Sequence, residues 1–158
     1  MRPTVFMLAA AVALGTTAAF AMGGSSDKPA PAAPTVDANY TKAKALIEAK
    51  DYAGAMPLLQ QVVAKDPKNA DAYNLMGFAT RKSGDANGSL QYYNQALGID
   101  PKHLGAHEYI GEAYLMLGKV AEAEQELAKL DALCVFGCVE QRTLKQAIAD
   151  QKAGKKTN

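Results

Sequence analysis

The sequence has little of what most catalytic and cofactor-binding sites need. It contains no tryptophan, two cysteines and two histidines, and aromatic residues make up 7% of its 158 positions. Two cysteines are too few for a multi-disulfide scaffold or a four-thiolate zinc site, and scarce aromatics argue against a surface that stacks on bases or sugars. Seventeen basic and sixteen acidic residues leave a net charge of +1. The charge therefore gives no reason to expect nucleic acid or an anionic membrane as a partner.

Catalytic and phosphate-binding motifs are also missing. Acidic residues are spread along the chain without a nucleophile–base–acid arrangement, and Gly23-Gly24 lies next to a proline-rich stretch rather than in a phosphate loop. We therefore expect no enzyme activity and no cofactor. What the chain does have is 49% hydrophobic and 21% charged residues, which is enough for one packed domain.

The N-terminal segment has the features of an export signal. Arg2 precedes an apolar run over residues 5–14, and residues 19–21 match the small-residue pattern that a signal peptidase cleaves. We predict that residues 1–21 are a cleavable signal peptide and that the mature protein is periplasmic, without membrane contact after cleavage. The alternative is an uncleaved membrane anchor, because weakly apolar residues continue to Met22.

Two further segments are predicted to lie outside the folded domain. Residues 22–35 combine three prolines with glycine and serine. Such a segment cannot hold a helix and has little to bury, so we predict a linker. Residues 154–158 are predicted to form a C-terminal tail.

The remaining chain is self-similar at a spacing of 34 residues. Pro67 aligns with Pro101, and Gly77 aligns with Gly111. Further aligned positions are Gly84 with Gly118, Asp51 with Asp85, and the small residues Ala55, Ser89 and Ala123. Apolar residues within each period are spaced as on one face of a helix, so each period is predicted to form two antiparallel helices.

Glycines and one aspartate predict how each helix pair is built. Gly84 and Gly118 are expected to end the first helices, where a positive φ is needed. Asp85 or a neighbour is expected to cap the second helix of the middle unit. The small residues predicted to let the two helices of a pair approach closely are Gly77, Ser89, Gly111 and Ala123.

The repeat unit carries a known sequence pattern. In the middle unit it reads Tyr73-x2-Met76-Gly77-x2-Thr80, then Ser89-x3-Tyr93 and Pro101. This resembles the tetratricopeptide repeat family, whose repeats contain an aromatic residue, Leu-Gly, Tyr, Ala-x3-Phe and a closing Pro. The resemblance implies an all-α solenoid of seven helices in a right-handed superhelix, with no strands. The predicted units are three helix-turn-helix repeats at 36–69, 70–103 and 104–137, and a capping helix at 138–153.

Departures from the pattern predict local irregularities. Lys42 stands at a normally apolar position and predicts a frayed, partly exposed first helix. Pro57 lies inside the second helix and is expected to bend it. The third repeat has Cys134 at the position where the pattern has a closing Asp-Pro. The turn that follows its second helix is therefore predicted to differ from the turns of the other repeats. The capping helix is predicted to cover the last repeat with a buried stripe of Val139, Leu144, Ala147 and Ile148.

The two cysteines lie four residues apart in the turn between the third repeat and the capping helix. In an oxidising compartment Cys134 and Cys138, with a glycine in the loop between them, are predicted to form a structural disulfide. A redox-active pair is the alternative, because the N-terminus of the following helix could lower a thiol pKa.

The two histidines are also four residues apart. On a helix this spacing puts the imidazoles of His103 and His107 on one face. With Cys134 and Cys138 they could supply four ligands to a tetrahedral metal, which would exclude the disulfide. The more ordinary interpretation is that His107 is packed at an aromatic position of the repeat and that His103 is solvated, so no metal is expected.

The resemblance also implies where a partner binds. In a solenoid of this kind the concave face, lined mainly by the first helix of each repeat, is the working surface. The residues predicted to line it are Tyr40, Lys44, Ile47, Asn74, Phe78, Arg81, Glu108, Glu112 and Leu115.

The chemistry of these nine residues indicates the kind of ligand. Lys44, Asn74 and Arg81 partly match the family's clamp for a C-terminal carboxylate, but Glu108 and Glu112 would repel an anion. The predicted ligand is therefore a mixed-charge helix or extended peptide. Its predicted anchors are Phe78 and Leu115. The alternative is that these are ordinary solvated residues.

These features together predict a periplasmic adaptor that binds a protein or peptide through its groove and catalyses nothing. On this hypothesis, alanine at Phe78 and Arg81 together should weaken binding without changing helicity or melting. The rival hypothesis is a thiol-redox or metal-handling protein that uses the cysteine and histidine pairs. A third possibility is self-association through the first helix, which bears Tyr40.

Overall fold

The computed structural model describes residues 37–155. The predicted signal peptide, the predicted linker and most of the predicted tail lie outside the described residues. Within 37–155 the chain forms seven α-helices and no strand, which confirms the predicted all-α class. The helices are α1 (Ala38–Glu48), α2 (Tyr52–Lys65), α3 (Ala70–Lys82), α4 (Ala86–Ile99), α5 (Leu104–Met116), α6 (Val120–Leu133) and α7 (Val139–Lys152).

Local sequence signals set the helix ends. The side chain of Asp85 accepts a hydrogen bond of 2.7 Å from the backbone N–H of Gly88, so the predicted cap of α4 is confirmed. Gly84 and Gly118 follow α3 and α5 with φ of 100° and 74°, as predicted. In the first repeat Lys50 occupies the equivalent place with a φ of 62°. A side chain there carries a strain that glycine avoids.

The first helix has a side-chain cap that was not predicted from the sequence. Lys42 is exposed as predicted, and α1 is helical from Ala38 to Glu48. Asp37 caps it by accepting a hydrogen bond from the backbone N–H of Asn39, and its other carboxylate oxygen lies 3.1 Å from Nζ of Lys65 on α2. Pro57 lies inside α2, which is helical on both sides of it.

Consecutive helices pack as three hairpins: α1 with α2, α3 with α4, and α5 with α6. The second helix of each hairpin packs against the first helix of the next, and the first helices α1, α3 and α5 also contact one another in order. Helix α7 follows the same rule, because it contacts both α6 and α5. It therefore occupies the place that the first helix of a fourth repeat would take.

Glycines in α3 and α5 allow the closest helix contacts. A Cβ atom added to Gly77 would lie 2.5 Å from the ring of Tyr93 on α4, as expected for close approach within a hairpin. Gly111 differs from the prediction. A Cβ atom there would lie 2.5 Å from Leu144 on α7, so the space that this glycine leaves is filled by the terminal helix.

The core is built from the faces that the repeat pattern marks. Leu144 and Ile148 of α7 are buried as predicted, and Ala147 is half-buried. The prediction that Val139 is buried is wrong, because 62% of it is exposed. Val139 begins α7 beside the disulfide loop and does not lie above α5. No helix within the described residues combines the length and the apolarity that crossing a bilayer requires.

Candidate functional site

The first helices of successive repeats form a continuous face, which we call the first-helix face. Between α3, α5 and α7 this face contains a cleft of about 740 Å³. The cleft is lined by Arg81, Lys82, Gly84, Glu112, Leu115, Met116, Thr143, Gln146, Ala147, Asp150 and Lys155. Basic, acidic and apolar groups therefore share one recess.

Arg81 is the structural centre of this face, and only 4% of it is exposed. Its Nη2 atom lies 2.6 Å from a carboxylate oxygen of Glu112 on α5, and its Nε donates a hydrogen bond of 3.4 Å to the hydroxyl of Tyr93 on α4. The guanidinium carbon lies 5.5 Å from the ring centre of Phe78 and 5.3 Å from that of Tyr109. One side chain thus joins three helices through charge and cation–π contacts.

Phe78 belongs to a row of aromatic rings that crosses the repeats. It packs against Tyr52 of α2 with ring centres 6.3 Å apart and against Tyr109 of α5 at 5.1 Å. Tyr109 in turn contacts Tyr93 at 6.0 Å. The predicted ligand anchor Phe78 therefore already packs against other rings. Because of these contacts and those of Arg81, we now expect alanine at Phe78 and Arg81 together to lower the melting temperature.

Asn74 and Glu108 are polar side chains with unusual surroundings. Both are buried, with 7% and 8% of their surface exposed. The side-chain oxygen of Asn74 has no hydrogen-bond partner among the described residues. Burial, followed by the nearby carboxylates of Glu112 and Glu140, raises the pKa of Glu108 to about 7.

The other predicted groove residues lie away from the cleft. Tyr40 and Ile47 of α1 are half-buried against the core around Leu59, and Lys44 is exposed. Leu115 lines the cleft, but only 3% of it is exposed, because it belongs to the core that contains Leu144. The residues of the predicted groove that line the cleft are Arg81, Glu112 and Leu115.

The contribution of α7 to the cleft was missed in the sequence, because α7 was interpreted only as a cap. Its contribution is Thr143, Gln146, Ala147 and Asp150. A signal was present: Gln146 stands 34 residues after Glu112, so the repeat period continues into α7. Extending the period by one more helix would have placed Gln146 on the first-helix face.

The cysteines are joined by a disulfide, with Cα atoms of Cys134 and Cys138 5.6 Å apart. The Sγ atom of Cys138 accepts a hydrogen bond from the backbone N–H of Gln141, so the bridge also caps α7. The loop that it closes presents Val135 and Phe136, which are 78% and 101% exposed.

The histidines are engaged by other groups. Nδ1 of His107 lies 2.7 Å from a carboxylate oxygen of Glu126, and its Nε2 lies 3.1 Å from the carbonyl oxygen of Pro101. His103 is not solvated as predicted. It caps α5 through Nδ1, its Nε2 lies 3.0 Å from Asp71, and 12% of its side chain is exposed. Within residues 37–155 no three acidic, histidine or cysteine side chains are grouped to hold a metal.

His107 and Glu126 form a buried hydrogen-bonded pair, which is an ion pair when His107 is protonated. The hydrogen bond that His107 donates to Glu126 raises the pKa of His107 despite burial. For Glu126, burial raises the pKa, but hydrogen bonds from His107 and Lys129 outweigh it and hold the pKa below its ordinary value. The stabilisation from His107 is complete below pH 6.5, its ordinary pKa, and is lost as pH rises through the raised value. The stabilisation from Glu126 is lost as pH falls through the lowered value.

Replacing Glu126 with glutamine should lower the pKa of His107, because the hydrogen bond and charge that favour its protonated form disappear. An NMR titration of the imidazole gives this pKa directly. Glu124→Gln is the matched control, since Glu124 is on the same helix but pairs with Lys152. If both variants leave the His107 titration unchanged, the ion pair does not form.

Comparison with known proteins agrees with this geometry. A family model described as tetratricopeptide repeat matches residues 35–79 and 81–133. The chain belongs to the tetratricopeptide repeat family. The predicted resemblance is therefore confirmed, and the hairpins described above are its repeats.

Sequence relatives in this family are much longer proteins. The chain is 32% identical over 83 residues to protein O-mannosyl-transferase Tmtc3 of Drosophila melanogaster, and 28% identical over 75 residues to the human TMTC3. These matches cover 52% and 48% of this chain but 9% and 8% of the relatives. The transferase name thus describes proteins of which this repeat chain spans less than a tenth.

Solved structures of similar fold include proteins with bound peptides. The type III secretion chaperone SycD of Yersinia enterocolitica, solved with a peptide of the translocator YopD, has a TM-score of 0.63 and 19% identity. The match covers 73% of this chain and 88% of that one. The second repeat domain of human RPAP3, solved with an HSP70 peptide, has a TM-score of 0.64 and 19% identity, with 72% and 92% covered. At this identity the likeness shows the fold.

Proposed function

We propose that this protein is a non-enzymatic adaptor that binds a protein or peptide segment in the cleft between α3, α5 and α7. The observation that carries the proposal is the recess of about 740 Å³ on the first-helix face. Clefts of this size that combine apolar walls with a few polar groups are typical binding sites. Peptide-bound relatives of the same fold, SycD and RPAP3, support the same type of activity.

The lining of the cleft favours a segment with mixed character. Met116 is 51% exposed and supplies an apolar contact, whereas Lys82 and Asp150 supply opposite charges. Arg81 and Leu115 are buried parts of the wall, so they shape the cleft more than they offer free contacts. An extended or helical segment with an apolar residue between charged ones would match this lining.

The proposal is tested by filling the cleft. Random displayed peptides are selected on the purified protein, and the selected peptides are measured against Gln146→Trp, which places a large ring in the recess. We expect their affinity to fall by about tenfold or more, because a blocked pocket removes the contacts that dominate binding. Gln95→Trp, at an exposed position on α4, is the matched control and should bind like the wild type. Selected peptides that bind the Gln146→Trp variant equally well would place the binding surface elsewhere.

We further propose that the protein works in the periplasm. The apolar run and the cleavage pattern in residues 1–21 support export, and the disulfide between Cys134 and Cys138 is consistent with an oxidising compartment. Intact-mass analysis of the protein from periplasmic and cytoplasmic fractions should find it in the former, without residues 1–21 and with the disulfide formed. A full-length, reduced protein in the cytoplasmic fraction would contradict export.

A further inference from the structure

Glu108 on α5 is a buried carboxylate without a partner. Only 8% of the residue is exposed, and its carboxylate oxygens, which keep some access to solvent, make no hydrogen bond or ion pair with a described residue. A buried carboxylate normally has both. Most other buried charged residues here follow that rule: Arg81 pairs with Glu112, and Glu126 pairs with His107. Glu108 therefore stands out as the exception.

The charges around Glu108 do not compensate for it. Glu112 on the same helix and Glu140 on α7 are acidic, and Tyr109 beside it is a neutral phenol. The nearby cation is Arg81 of α3, whose Nη2 is already 2.6 Å from Glu112. Three carboxylates thus share one guanidinium, and the local field is negative.

Asn74 provides a second and independent observation. It lies 34 residues before Glu108, at the equivalent position of the preceding repeat on α3. Its oxygen is buried and has no hydrogen-bond donor among residues 37–155. Its amide nitrogen lies beside Gly105, where an added Cβ atom would be 3.3 Å away. Gly105 is one helical turn before Glu108 on α5. The side-chain amide of Asn74, whose oxygen has no donor, therefore lies next to the helical turn that carries the carboxylate of Glu108.

We propose that Asn74 and Glu108, with Glu112 and Glu140 around them, form a subsite for a cationic side chain of the bound segment, a lysine or an arginine. Glu108, Asn74 and Glu140 are not part of the cleft lining; the subsite adjoins the cleft through Glu112, which lines it and lies one helical turn after Glu108 on α5. This inference rests on the proposed function and adds the chemistry of the partner. A cation supplies the donors that both acceptors lack and balances the excess of carboxylates. The unfavourable free energy of the unpaired Glu108 carboxylate in the unbound protein is then offset when the ligand binds.

The raised pKa of Glu108 adds a pH dependence. With a pKa of about 7, the carboxyl is largely protonated at about pH 6 and largely ionised at about pH 8. A ligand cation favours the ionised form, so binding should tighten over this interval. The groups that face Glu108 are Arg81, Tyr109, Glu112 and Glu140.

The test compares peptide selections by the wild type and by Glu108→Gln, an isosteric change that removes the unfavourable buried charge. We expect the wild type to enrich a lysine or arginine at one fixed position. Glu108→Gln should still capture peptides but lose that enrichment. Glu48→Gln, which removes an exposed carboxylate from α1, should enrich the same basic residue as the wild type.

A second measurement uses one selected peptide and its analogue with norleucine in place of the basic residue. The wild type should prefer the basic peptide by about tenfold, more strongly at about pH 8 than at about pH 6, and Glu108→Gln should show neither preference. Peptides selected without a basic residue, or an unchanged preference in Glu108→Gln, would overturn the subsite while leaving the cleft proposal standing. If the wild type selects no peptide at all, both are overturned.

Discussion

Replacing Gly77 with alanine should lower the free energy of unfolding by about 2–3 kcal/mol, because the added methyl group overpacks a tight contact. The new Cβ atom would lie 2.5 Å, 2.6 Å and 2.9 Å from three ring atoms of Tyr93. That ring is fully buried, so it cannot turn aside, and α3 and α4 must separate. Urea denaturation followed by circular dichroism measures the loss.

The chain contains a matched control for this substitution. Gly98 lies within α4 and has open space at the position of its Cβ atom. Gly98→Ala should raise the free energy of unfolding by about 0.5 kcal/mol, because alanine restricts the unfolded chain and favours helix. The two substitutions are thus expected to act in opposite directions. A similar stability for both variants would show that the contact between Gly77 and Tyr93 is not tight in solution.

Replacing Arg81 with alanine should lower the free energy of unfolding by about 3 kcal/mol. The substitution removes the ion pair with Glu112, the hydrogen bond to Tyr93 and the cation–π contacts with Phe78 and Tyr109. It also leaves Glu112 without its cation. The loss is measured by urea denaturation, and Arg81→Lys is expected to recover only part of it because an ammonium cannot reproduce the planar contacts.

The neighbouring cation shows how specific this effect should be. Lys82 is exposed on the same helix, and its Nζ atom lies 5.8 Å from the ring centre of Phe78. Lys82→Ala should change the free energy of unfolding by less than about 0.5 kcal/mol, as is usual for exposed positions. Equal losses for the two alanine variants would mean that Arg81 is no more deeply packed than its neighbour.

The sequence predicts the repeat architecture well because the signals for it are local. A positive φ after a helix favours glycine, as at Gly84 and Gly118, and the cap of α4 favours a short acceptor such as Asp85. Each of these depends on a few neighbouring residues. The 34-residue period then repeats them, which makes the hairpins recognisable without any knowledge of contacts.

The details of the site could not be predicted because they arise where three helices meet. Arg81 was predicted from the sequence to line the groove, but its burial could not be predicted because its partner Glu112 is on another repeat. The partial burial of Phe78 depends on Tyr52 of α2 and Tyr109 of α5, which belong to the repeats before and after its own. His107 was correctly interpreted as packed, but its pairing with Glu126 requires the geometry of a complete hairpin.

The position of α7 has a consequence for how binding and folding are connected. Among the helices of residues 37–155, this terminal helix contacts α5 and α6 alone, yet it supplies one wall of the cleft. In repeat proteins the last element has a neighbour on one side alone, so it opens more readily than the interior. A segment held between α7 and α3 would act as the missing second neighbour. Occupancy would then slow amide hydrogen exchange in α7 more than in α1, at the other end of the array.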